Sequence, residues 1–222
     1  MAVFHRVQRP IVVLGSTQPE AVVKSRRARR EGIAVCRRRS GGGAVFVDER
    51  DPLWIDLWVP RGDPLWEDDV SRASFWIGEW WSSVLAGLGV PDVTVHQGRF
   101  VATRWSKWVC FAGRGAGEVL VGERKLLGIA QWRGREGALF HLAAYRSWDP
   151  DPLVRVLALG RRDRRAAARD LRGAVTGLDE LLPARVSNDH LVSLLIERLP
   201  DARRWELQGV QPVTAASSTD HA

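Results

Sequence analysis

Arg37-Arg38-Arg39-Ser40-Gly41-Gly42-Gly43-Ala44-Val45-Phe46 is the stretch on which the reading of this chain turns. Three consecutive glycines let the main chain reach positive φ and strip every Cβ from one side of a bend. A flat ligand or a phosphate can then rest on the backbone, with N–H groups aimed at it. The adjoining arginines supply fixed charge and forked donors. A flexible hairpin with a basic flank fits the same residues equally well. The Gly-x-x-x-x-Gly-Lys-Ser/Thr pattern of a P-loop is absent. A second cluster, Gly113-Arg114-Gly115-Ala116-Gly117, lacks a dinucleotide-binding context and reads as a loop.

Outward from the glycines, Ile33–Cys36 and Ala44–Val47 read as flanking strands, and Val3–Val7 and Ile11–Leu14 as two earlier ones parted by Arg9-Pro10. Lys24–Glu31 is a basic helical stretch that Gly32 is placed to stop. Leu53–Val59 is a candidate buried strand. Asp63 as cap, Pro64 in the first turn and Gly89 as terminator predict one helix between them. Val70, Ala73, Ile77, Trp81, Val84, Leu85 and Leu88 form its apolar stripe. Strands are expected again at Val93–Val95, Glu118–Val121, Leu126–Ala130 and Ala138–Ala143. Beyond Asp149-Pro150 the pattern is helical to the end, with Asn188–Leu199 the clearest segment. No regular βαβα alternation occurs, which predicts an α+β fold with a mixed, largely antiparallel sheet flanked by helices. At 222 residues one domain is expected, over 1–210, with 211–222 a flexible C-terminal tail.

No apolar run approaches the roughly 20 residues of a membrane span, and the first residues lack the apolar core of a secretory signal. Two cysteines, Cys36 and Cys110, are too few for a disulfide framework or a zinc site. Together these features predict a cytoplasmic protein with no membrane partner, expected to be a monomer. The net charge of +7 admits nucleic acid, an anionic surface, an acidic protein or a phosphorylated small molecule as partner. The basic runs Lys24–Arg30 and Arg161–Arg169 read first as solvated helix faces and second as docking sites for acidic carrier domains. Neither interleaves aromatics with its arginines, as single-strand binding would want, so nucleic acid is disfavoured.

The Arg37–Phe46 stretch closely resembles the Arg-Arg-x-Ser-Gly-Gly-Gly-Ala-Val-Phe motif of the lipoate–protein ligase A family. Four further segments agree in order. Pro10–Gln18 is similar to the family's Val-Val-Ile-Gly-x-x-Gln strand and turn. Cys110-Phe111, with Glu118-Val119 following, is similar to a Cys-Phe…Glu stretch of the related octanoyltransferases. Gly122–Gln131 resembles Gly-x-Lys-hydrophobic-x-Gly-Ser-Ala-Gln, and Ala174–Pro183 resembles Val-Thr-Asn-Leu-x-Glu-Leu-Leu-Pro. The resemblance spans roughly residues 9 to 200. It implies the fold shared by class II aminoacyl-tRNA synthetases and biotin–lipoate ligases.

The resemblance also implies chemistry: an acyl-adenylate made from ATP and lipoate or octanoate, its acyl group then passed to a lysine on a lipoyl domain or an H-protein-like carrier. Lys125 is the implied catalytic residue, a mobile ammonium at a strand mouth that neutralises charge building on oxygen. Arg38, Gly43, Ala44, Val45, Phe46 and Lys125 are the implied adenylate contacts. Ser40, Gly41, Gly42, Gly128, Ala130 and His141 are the implied acyl-site residues, with Gly128 and Ala130 leaving room for the chain. His141 fits a packed strand position equally well. Mg2+ is implied with ATP, and Asp48 is the one carboxylate in place for it. The family's His-Asp-x-Gly-Asn is Val47-Asp48-Glu49-Arg50-Asp51 here, without histidine or asparagine, and Leu127 and Ile129 replace small polar residues. Two alternatives stand beside the ligase. One is an ATP-independent transferase, which in these relatives uses a cysteine after the motif lysine; none follows Lys125. The other is a non-catalytic acyl- or adenylate-binding protein.

Overall fold

The computed structural model describes residues 1–183, 186–200 and 205–213, the stretch 207–213 as backbone alone. Strands β1 (Ala2–Val7) and β2 (Ile11–Leu14) lead to helix α1 (Ser25–Arg30). Then come β3 (Ala34–Arg37), β4 (Val45–Val47), β5 (Leu53–Pro60) and helix α2 (Phe75–Gly87). β6 (Val93–Val95), β7 (Val119–Val121), β8 (Arg124–Arg133) and β9 (Gly137–Ala144) follow. Helices α3 (Asp151–Val156), α4 (Arg161–Arg172) and α5 (Asn188–Glu197) precede β10 (Leu207–Val213).

Two sheets form. The larger has seven strands in the order β10-β1-β5-β9-β8-β7-β6, and the smaller is β3-β2-β4. All neighbours are antiparallel except β1 with β10 and β2 with β3. The expected α+β fold with a mixed, largely antiparallel sheet is therefore the one observed.

Side-chain alternation along β5 shows how the large sheet divides the core. Leu53, Ile55, Leu57 and Val59 point to a cluster roofed by α2 and α5, which supply Ile77, Trp81, Leu85, Leu191 and Leu195. Trp54 points to the opposite cluster, which holds β2, β4 and residues of α3 and α4. The small sheet thus packs on that second face of the large one, and the glycine bend lies between β3 and β4.

Two expectations are corrected. The helix predicted between Asp63 and Gly89 begins only at Phe75. Asp63 and Asp69 instead turn back on their own chain, accepting from the N–H groups of Leu65 and Ser71 at 2.8 Å each. Short acidic side chains compete with the helix for backbone donors in this way. The C-terminal region is not helical to its end: β10 lies parallel to β1, from Ala2 opposite Leu207 to Val7 opposite Val213. That pairing is long-range and leaves no local periodicity. β10 also runs past residue 211, where a tail was expected to begin; residues 214–222 lie outside the described residues. Among the described residues no helix is long and apolar enough to cross a membrane.

Leu85 is fully buried between α2 and the sheet. Leu85→Ala is expected to cost about 2–5 kcal/mol, measured by urea unfolding; a loss under about 1 kcal/mol would mean that the site collapses around the cavity.

Candidate active site

The glycine bend is held from beneath by Arg38, which is 3% exposed. Its guanidinium donates to Ser40 Oγ at 3.0 Å, Val13 O at 3.2 Å, Gly41 O at 2.7 Å and Gly43 O at 2.9 Å. An arginine spent on the loop's own oxygens is a strut, so Arg38 does not present the free fork expected for an adenylate. Ser40 is likewise internal, its carbonyl accepting from Ser16 N at 2.9 Å. Gln18, in the same turn as Ser16, donates from Nε2 to Lys107 O at 2.8 Å. The turn after β2 therefore ties the bend to the segment before Cys110.

That segment carries the decisive contact. Ala44 N donates to Trp108 O at 2.9 Å, and Cys110 N to Ala44 O at 3.0 Å. A Cβ on Gly43 would stand 2.5 Å from the carbonyl carbon of Val109, so only glycine permits the approach. Gly42, at φ +96°, would carry a Cβ 3.6 Å from Cys110 Sγ, whereas Gly41 faces open space. On the other side of the same segment, Lys125 Nζ donates to Cys110 O at 3.2 Å. The bend and the lysine thus meet across two residues, Val109 and Cys110.

Lys125 reaches this position through an irregularity in the ladder. Val119 pairs with Leu127 but Leu120 with Lys125, so β8 carries one residue more than β7 there. The bulge lets Leu126 and Leu127 both enter the α2 cluster. Lys125 turns the other way, 5.3 Å from the centre of the Phe111 ring. The lysine is not mobile: it is 1% exposed and lies 2.6 Å from Glu118 Oε2. Glu118 also accepts from Gly115 N at 2.6 Å and Ile129 N at 3.1 Å. Sequence reasoning quoted Glu118 but assigned it no role; its signal was an acid just ahead of the strand that pairs with the lysine's. Gly128 is corrected as well. A Cβ there would meet the Phe111 ring at 3.0 Å, so the space above it is filled by Phe111 rather than left to a ligand.

Ala130 pairs directly with His141 across β8 and β9. Asp56, opposite His141 on β5, is within 2.6 Å of His141 Nδ1 and 2.9 Å of His5 Nε2, and accepts from Trp54 Nε1 at 2.8 Å. Burial works against its ionisation, but the charges and hydrogen bonds of His141 and His5 prevail and hold its carboxyl well below the usual range. An ionised carboxylate only accepts, so Nδ1 of His141 carries a proton. Nε2 is buried and has no partner among the described residues. Val45 and Phe46 are buried strand residues, and Phe46 O accepts from Tyr145 Oη at 2.6 Å.

Asp48 is not brought to the bend. It follows the far end of β4, about 13 Å of extended chain from Ala44, and its Oδ1 caps a turn by accepting from Arg50 N and Asp51 N. Among the described residues no group of three or more His, Cys, Asp or Glu side chains could hold a metal ion. The one carboxylate expected to serve Mg2+ is therefore spent on a turn away from the bend. Asp51 closes the same turn and accepts from the Arg146 and Ser147 amides. Burial pushes its carboxyl up to about 6, against the pull of those two amides, with Asp48 and Asp179 adding to the rise.

The model of the lipoyl protein ligase A/B catalytic domain matches residues 2–199. The chain belongs to the lipoyl protein ligase A/B catalytic-domain family. It therefore carries the catalytic domain of a ligase or transferase. No curated protein matches its sequence significantly. Among solved structures it is similar to a bipartite lipoate protein ligase studied with its E2 lipoyl domain from Thermoplasma acidophilum. The identity there is 22%, with 98% of this chain and 76% of the other covered at a TM-score of 0.71. A lipoate–protein ligase A bound with ATP matches at 21% identity over 98% and 78%, with a TM-score of 0.68. Protein Ta0514 of T. acidophilum with bound lipoic acid matches at 20% over the same shares, with a TM-score of 0.67. At these identities the likeness establishes the fold, and the family's two sequence motifs are what this fold brings together.

Two measurements test the site's energetics. Lys125→Ala leaves a buried carboxylate without its cation and is expected to cost about 3–5 kcal/mol in urea unfolding. Lys125→Met combined with Glu118→Gln should cost clearly less than the sum of the single changes; strict additivity would show that the ion pair is not coupled. For Asp51, the raised pKa means stability is fully present below 3.8, the ordinary value, and is lost as pH rises through about 6. Thermal melts from pH 4 to 7 should show the wild type losing ground to Asp51→Asn up to about pH 6 and no further beyond it. Parallel profiles would contradict this.

Proposed function

We propose that this chain is a lipoate–protein ligase-like enzyme that places a lipoyl or octanoyl group on a lysine of a carrier domain. The observation that carries the proposal is the meeting of Lys125 with the glycine bend across Val109 and Cys110. Two hydrogens of the ammonium are directed at Glu118 and Cys110 O, which leaves the third for an acyl oxygen. Negative charge builds on that oxygen as the group is transferred, and a preplaced donor there contributes on the order of 3 kcal/mol. The acyl chain would run past Ala130 toward His141, whose proton on Nδ1 is held by Asp56.

In the adenylate route, a carboxylate oxygen of lipoate or octanoate attacks the α-phosphorus of ATP and pyrophosphate leaves. The carrier amine then attacks the acyl carbon, releasing AMP and a proton. Gly41, open on its Cβ side, is the part of the bend on which the nucleotide would rest. The solved relatives with ATP and with lipoic acid are consistent with this route.

One observation favours a second reading, ATP-independent transfer. Cys110 is a free, half-buried thiol beside Gly42, and its own carbonyl accepts from Lys125. It could take an acyl group from a thioester, expelling the donor thiol, and yield it to the carrier amine. No cysteine follows Lys125, so in this reading Cys110, whose backbone carbonyl meets the lysine, would take that part.

Lipoate- or octanoate-dependent exchange of pyrophosphate into ATP, retained in Cys110→Ser, is the expected result for the adenylate route. Acyl transfer from a carrier thioester without ATP, lost in Cys110→Ser, would establish the second. Tight ligand binding with neither activity would overturn the proposal and mark a non-catalytic binding protein.

A further inference from the structure

α4 turns Ala167 and Leu171 into the core and presents Arg161, Arg165 and Arg169, four residues apart, on another face. With Arg162 and with Arg104 from the segment before Cys110, they line an open cleft of about 990 Å3 in which Asp163 is the one acid. Arg104 pairs with Asp163 at 3.0 Å and Arg169 with Asp170 at 2.9 Å. Arg161, Arg162 and Arg165 have no carboxylate within ion-pair distance among the described residues. Like charges four apart repel along a helix, and cations in its first turn oppose its dipole. This arrangement works against the helix that carries it, so helix stability does not account for it.

The cleft is also wired to the site. Trp105, next to Arg104 and 5% exposed, donates from Nε1 to Asp170 Oδ2 at 2.9 Å. Val109 N donates to Trp105 O at 2.9 Å. That closes a single turn, about 5 Å of rise, between the cleft wall and the Val109–Cys110 floor under Lys125.

We propose that this cleft docks the carboxylate-rich face of the carrier domain whose lysine receives the acyl group. The inference rests on the acyl-transfer reading above. An open, wide, arginine-lined surface suits an acidic protein face, and neither α4 nor Arg104 offers the outward aromatic stripe that single-stranded nucleic acid would stack on.

The test uses the full chain, an Arg161→Glu/Arg165→Glu variant and a recombinant acidic apo lipoyl domain. Binding is measured by titration calorimetry and transfer by mass spectrometry of the domain. The variant is expected to bind the domain at least about tenfold more weakly and to raise its KM to match, because like charges now face each other. kcat at saturating carrier and the affinity for free lipoate should stay unchanged. Affinity should fall with added salt in the wild type and much less in the variant. Lysines introduced for carboxylates on the lipoyl domain should rescue the variant, which a merely misfolded helix would not allow. Wild-type transfer with unchanged KM in the variant would overturn the docking proposal while leaving the catalytic one intact. Binding that the variant loses, in a wild type that never transfers, would do the reverse. Loss of heparin or nucleic-acid retention alone, with carrier binding unchanged, would assign the cleft to another partner and also overturn it.

Discussion

The carbonyl of Cys110 is where the two pieces of the candidate site are joined. It takes the Lys125 ammonium on one side, while its peptide lies against Gly43 on the other. Neither piece has a reason to be where it is without that segment. The bend would be a loose hairpin if Gly43 did not press on Val109, and the lysine would have only Glu118 to hold it in an apolar surround. A buried ion pair of this kind is seldom a net source of stability, since desolvation of both charges offsets much of their attraction. What it does supply is a single defined place for the ammonium, 2.6 Å from one oxygen and 3.2 Å from another.

Much of this was readable from the residues themselves. Strands with alternating or continuous apolar runs fell close to their expected positions because burial on one or both faces imposes those patterns locally. The start of α2 did not, because Asp63 and Asp69 sit where caps sit and use their carboxylates in turns. β10 carries no periodicity to read, since its partner is at the other end of the chain. In the site, Lys125 and the glycines stood out as motifs, whereas their surroundings did not. That Arg38 faces inward, that Phe111 fills the space over Gly128, and that Asp48 caps a distant turn are consequences of packing. No spacing in the sequence distinguishes a strut from a ligand donor. Glu118 and Cys110 show the converse: residues quoted for a resemblance with no role attached, which the bulge in β8 and the turn after β2 bring to the lysine.

The division of the large sheet into two unlike faces explains how a site is built without weakening the fold. The face under α2 and α5 is continuous hydrocarbon and aromatic surface and bears the packing. The opposite face carries His5, Asp56, His141 and the lysine, polar groups that a single core could not have absorbed. Asp56 shows the balance most clearly. Its burial would disfavour ionisation, and two imidazoles and an indole are stationed around it to reverse that.

β10 has a consequence for the nascent chain. β1 finds its outer partner only in 207–213, far later in the chain, so until that stretch emerges the sheet offers a row of unmet amides to any stray extended peptide. The finished molecule limits the same hazard at both margins. One is the three-residue β6. The other is β10 itself, an edge strand in which Pro212 removes one backbone donor.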